Sequence, residues 1–157
     1  MLTARPRSII AALCTVGVLV SVTSASSSQL TSEERQQVVT TLTSEINSSI
    51  QKQVSFPYLR DKVVRRVAEC AFLFKTLGDA SPDPSFAEAS DVSQEVAVLI
   101  AAAIPTDRYK AIIDDARYSI VQLSKHHYRT ELSSLLRSCK SFNDVKEIDQ
   151  AVQELTF

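Results

Sequence analysis

Histidine occurs only as His126 and His127, and neighbours on a helix point about 100 degrees apart, so one metal ion cannot readily use both. His127 and Glu131 are four residues apart and would share a helix face, yet a zinc site takes three or four ligands and this stretch supplies two. Metal binding and cofactors are therefore not expected. What remains for these residues is to be two partly exposed histidines at a helix bend, to transfer protons with His126 or His127 as acid or base at a cleft, or to gain charge in an acidified compartment.

Cys14, Cys70 and Cys139 are the cysteines. A catalytic thiolate wants a histidine within reach, and Cys139 lies twelve residues beyond His127, about 18 Å along any continuous helix. No Cys-x-x-Cys redox motif is present. Asp114-Asp115 and Asp144 with Glu147 resemble paired carboxylates. Acid and base catalysis needs such groups to face one another across a pocket, and neighbours on one helix do not. Gly78 stands alone, so a glycine-rich phosphate loop is absent as well.

Two further clusters can make contacts. Arg60, Lys62, Arg65 and Arg66 form a basic run that suits either an anionic partner or an ordinary solvated face, with Asp61 and Glu69 diluting it. Phe56, Tyr58, Phe72 and Phe74 form one aromatic group, and Tyr109, Tyr118 and Tyr128 another. Core packing is the default reading of these apolar residues; a carrier of a small apolar ligand would instead line its cavity with Phe72, Phe74, Leu99, Ile100 and Ile120, and a docking protein would use the same residues as its partner surface. Asn47-Ser48-Ser49 is a glycosylation acceptor sequence, though it falls inside a predicted helix.

These residues must be positioned by helices. Gly78 is the only glycine beyond Gly17, and sheets built on tight turns need more. Together with 3.6-residue patterning this predicts an all-α, single-domain bundle of five or six helices. The first opens at Thr31 or Ser32, where a hydroxyl cap precedes Glu33 and Glu34. Its stripe of Val38, Leu42, Ile46, Ile50 and Val54 is thin, which suits the rim of a bundle. Phe56-Pro57-Tyr58 breaks the chain. Leu59, Val63, Val67, Cys70, Phe74 and Leu77 then hold phase until Gly78, placed where a left-handed cap would stand. Asp79 to Ser85, with two prolines, reads as the one clear loop.

A third helix runs from Phe86 or Ser90 to Ile104 and is apolar on nearly every face from Val96 onward, which suits a central helix or one that faces a partner. It is too short and starts too polar to span a bilayer. Tyr109, Ile113, Ala116, Ile120 and Leu123 form the next stripe. Tyr128, Leu132, Leu135 and Cys139 follow out of phase, so the chain bends or two helices meet within 124–130. Ser141-Phe142-Asn143-Asp144 resembles a capping box opening a last helix with Val145, Ile148, Val152 and Leu155 on its apolar face.

The N-terminal stretch carries a different signal. Arg5 and Arg7 precede an apolar run over Ser8–Val22, and Thr23-Ser24-Ala25 offers small residues at a cleavage site. The expected organisation is a cleaved secretory signal at 1–25, a disordered leader at 26–31 and the helical domain at 32–157. Cleavage would discard Cys14, and no stable membrane span would remain. It would also remove two basic residues and no acid, leaving an excess of three acidic residues, the opposite of a nucleic-acid binder. In an oxidising compartment the remaining pair, Cys70 and Cys139, is expected to form a disulfide stapling the bundle.

The expectation for function is an exported domain, periplasmic or extracellular, that is not an enzyme and acts by contact with an unknown protein partner. The alternatives are the apolar-ligand carrier and an enzyme built on His126 or His127.

Overall fold

A computed structural model describes residues 29–53 and 55–157. The expected signal at 1–25 with Cys14, the first three leader residues and Val54 lie outside the described residues. Helices occupy Ser32–Lys52 (α1), Leu59–Ala80 (α2), Pro84–Ile100 (α3), Thr106–Lys125 (α4), Arg129–Phe142 (α5) and Ile148–Glu154 (α6), with a 3-10 turn at Ala101–Ala103 extending α3. There is no strand among the described residues.

The start of α1 is fixed by a reciprocal cap. The Glu34 amide donates to Thr31 Oγ1 at 3.2 Å, and the Thr31 amide donates to Glu34 Oε2 at 2.7 Å. That backbone hydrogen bond holds the Glu34 carboxyl below its ordinary pKa. Just upstream, the Leu30 amide donates to Glu88 Oε1 at 2.6 Å, tying the entry of the chain to α3. The thin stripe of α1 reaches further inward than a rim helix would: Leu42 and Ile46 are fully buried, and α1 packs on both α3 and α6.

The central element is α2, which packs against α3, α4 and α5. Its first half gives Leu59, Val63, Val64 and Val67 to a larger apolar cluster shared with α1, α3 and α6. Its second half gives Cys70, Leu73 and Phe74 to a smaller cluster completed by Ala89, Ile120, Leu135 and Cys139. Cys70 and Cys139 are joined, with Cα atoms 5.4 Å apart, so the bridge fastens α5 to α2 inside that second cluster.

The expected break at Phe56-Pro57-Tyr58 is completed by Tyr58, which takes a left-handed φ of 63°, and α2 starts after it. Several boundaries differ from expectation, each for a local reason. Gly78 is not a left-handed cap, since α2 continues to Ala80. The loop shrinks to Ser81–Asp83, because Asp83 Oδ1 accepts from the Ser85 amide at 2.9 Å and Pro84 sits in the first turn of α3, where its missing N–H costs nothing. Ser141 lies within α5 and donates to Glu147 Oε2 at 2.7 Å, so no cap forms there and α6 begins only at Ile148. The 124–130 segment holds a junction between two helices, turned by His127 at a φ of 52°.

A Cβ built at Gly78 would lie 3.5 Å from the Phe86 Cβ and 3.5 Å from the Ala87 nitrogen, ordinary contact distances. Gly78→Ala is therefore expected to stabilise the fold by about 0.5 to 1 kcal/mol through reduced unfolded-state entropy. Thermal unfolding should shift up by a few degrees. A downward shift would mean that the last turn of α2 relies on glycine.

Ion pairs link helices that also share apolar contacts. Arg35 of α1 meets Glu95 of α3 at 2.6 Å, Arg65 of α2 meets Asp115 of α4 at 2.7 Å, and Lys52 of α1 meets Asp149 of α6 at 2.7 Å. All are substantially exposed, so each fixes orientation more than it adds stability.

Candidate functional site

The least satisfied part of the surface is the C-terminal half of α3. The sequence from Val96 to Ile104 holds no polar residue, so burying one face of this helix leaves apolar side chains on the other. Val96, Ala97 and Ile100 point into the bundle, whereas Val98 and Leu99 are 49% and 48% exposed. Ala102 and Ala103, in the 3-10 turn that follows, are exposed as well.

Two hollows adjoin this edge. One, of about 440 Å³ between α1 and α3, is lined by Val39, Val98 and Leu99 together with Arg35, Asp91 and Glu95. Glu95 hydrogen-bonds Arg35 and, with Asp91, raises the pKa of its guanidinium, so the charge there is already matched pairwise apart from one surplus carboxylate. The other, of about 430 Å³, lies past Ala103 and is lined by Phe56, Tyr58, Leu59, Ile104 and Arg108. Phe56 is 42% exposed and Tyr58 66%. The left-handed backbone at Tyr58 is strained for an aromatic residue. Arg108 lies 4.9 Å from the centre of the Tyr58 ring and pairs with Asp61, which holds the exposed ring in place.

The five residues expected to form one surface or cavity are not brought together. Phe74 and Ile120 belong to the smaller core cluster, and Phe72 packs on its edge. Ile100 belongs to the larger cluster. Leu99 alone of the five faces the open α1–α3 hollow. What the sequence reading missed is the exposure of Leu99 beside Val98, and the lip that Phe56 and Tyr58 form around the separate hollow past Ala103. The unbroken apolar run was the signal for the first; the left-handed turn at Tyr58 left no mark in the sequence.

The titratable candidates are placed without a shared cleft. His126 and His127 are exposed at the α4–α5 junction, and His126 lies beside the Tyr128 ring at 5.7 Å. His127 has left the helical face it was expected to share with Glu131, because its own backbone makes the turn. Cys139 is bonded to Cys70 and offers no thiol. Asp115 pairs with Arg65, Asp144 accepts from the Lys146 amide, and Glu147 accepts from Ser141, so these carboxylates serve the fold.

The basic run is spent in the same way. Arg60 donates to Asn47 Oδ1 at 2.6 Å and to the Ile100 carbonyl at 3.0 Å. Lys62 donates to the Leu155 carbonyl at 3.1 Å. Arg65 and Arg66 both reach Glu69, whose side chain is nearly buried. Arg60, Lys62 and, through Asp115, Arg65 tie α2 to the rest of the chain, whereas Arg66 pairs within the helix. The Asn47 amide, within α1, is held by that same contact with Arg60.

Among the described residues no group of three or more histidine, cysteine or acidic side chains could hold a metal ion, and no helix is long and apolar enough to cross a membrane. Comparison with family models, curated proteins and solved structures finds no match to this chain.

Proposed function

We propose that this is an exported helical domain, periplasmic or extracellular, that works by docking a protein partner rather than by catalysis. The observation that carries the reading is the exposed pair Val98 and Leu99 on α3, continued through Ala102 and Ala103 toward the lip of Phe56 and Tyr58. Covering half-exposed valine, leucine and aromatic side chains removes apolar surface from water, a gain of about 25 cal/mol per Å², and aromatic anchors beside a groove are the side chains that dominate protein interfaces. The disulfide supports export, since such bridges persist in oxidising compartments.

A photo-crosslinking amino acid placed at position 99 or 56, in the host, tests the reading. Both positions should give an adduct with the same protein, lost when Val98→Ser is added, while position 114 on the exposed face of α4 gives none. Equal labelling from 99 and 114 would remove the proposal. The mass of the recovered protein tests export separately: it should correspond to a start near Ser26, two hydrogens short of the reduced chain.

A further inference from the structure

We propose that the recess enclosed by α2, α3 and α4 binds a small apolar carboxylate, of the size of an aryl-acetic or branched-chain acid. The recess measures about 120 Å³, close to the apolar cavities of about 150 Å³ that take up benzene. Its floor is made of buried alanines, Ala68 and Ala71 on α2 and Ala97 on α3, which leave room because none carries a side chain beyond Cβ. Phe72, Tyr109 and Ile113 form the walls. Such a lining favours an apolar body with one flat or branched group.

The mouth specifies the charge. Lys75, Arg117 and Gln94 are the exposed residues of the lining, and no aspartate or glutamate is among them. Arg117 lies over the Phe72 ring at 5.3 Å and makes no ion pair among the described residues. Lys75 has only Asp79 nearby, at 3.8 Å with both side chains largely exposed, an arrangement of little strength. Two cations at the rim of an apolar hole select a molecule with an anionic head and a greasy tail. Inside the recess the Ser90 hydroxyl is already spent, donating to the Ala71 carbonyl at 2.9 Å. Burial raises the Tyr109 pKa and keeps its phenol protonated.

Gln94 borders both this recess and the α1–α3 hollow, but Val98 and Leu99 do not line the recess, so the two proposals fail separately. The probe is phenylacetate, titrated into the oxidised mature chain and followed by amide NMR shifts, with phenylacetamide as the neutral control. Phenylacetate should saturate in the millimolar range with shifts centred on Ala71, Ala97 and Ile113, and phenylacetamide should bind about tenfold more weakly. Lys75→Gln combined with Arg117→Gln should lower phenylacetate affinity about tenfold and leave phenylacetamide unchanged. Leu99→Ser should alter neither. Ala71→Leu should fill the recess and abolish both, and if that variant does not fold the charge variants still decide. Equal affinity for acid and amide, shifts centred elsewhere, or no saturable change by about 10 mM would overturn the assignment.

Discussion

Breaking the Cys70–Cys139 bridge is expected to lower the free energy of unfolding by about 4 kcal/mol. The bridge spans 69 residues and encloses α3 and α4 entirely, so the reduced unfolded chain gains the freedom of a long loop. The folded state also depends on it locally. From α5 only Leu135, Cys139 and Phe142 are buried, and the smaller core cluster holds seven buried residues including both cysteines. Domains of this size are stable by about 5 to 15 kcal/mol, so the loss is a large fraction of the whole. Urea unfolding with and without reductant should show it, as should the double variant Cys70→Ala, Cys139→Ala. Hydrogen exchange should rise first over 129–142, where α5 loses its anchor. An unchanged midpoint would mean that the bridge constrains nothing, and would also remove the main support for an oxidising compartment.

What could be read from the residues alone, and what could not, divides along a physical line. Periodicity reports which face of a helix is wet, so the helical class, the phase of α2 and the burial of Cys70 followed from spacing, and the pairing of two remaining cysteines followed from arithmetic. Helix ends were less legible, because they turn on which of several competing caps wins. Asp83 with Pro84 displaced Phe86 as the start of α3, and Ser141 bonded to Glu147 instead of capping α6. The candidate surface was the least legible. Apolar residues mark a core and a docking edge alike, and only the packing of α1 and α2 onto α3 decides that Ile100 turns inward while Leu99 does not. The basic run was ambiguous for the same reason. Its partners, Asn47, Glu69, Asp115 and the carbonyls of Ile100 and Leu155, mostly come from elsewhere in the chain.

Phe74→Ala should cost about 3 to 5 kcal/mol, whereas Leu99→Ser should cost about 1 kcal/mol. The sequence places both residues on one candidate surface, although Phe74 also lies on the in-phase stripe of α2. Phe74 is 0% exposed and packs in the cluster that holds the disulfide, so truncation removes a ring from a site whose walls are tethered by the Cys70–Cys139 bond and cannot collapse freely. The lost transfer energy and the residual cavity therefore add, and the bridged protein should sit near the upper end of the range. Leu99 is half exposed, so its serine variant gives up only half of a leucine's burial on folding and loses the apolar surface available to a partner. Urea midpoints for the two variants, read beside the crosslinking yield from position 56, separate core from docking edge. Phe74→Ala should unfold early, and Leu99→Ser should unfold only slightly early and crosslink poorly. A Leu99→Ser variant that keeps its full crosslinking yield would show that the edge of α3 is not where the partner sits.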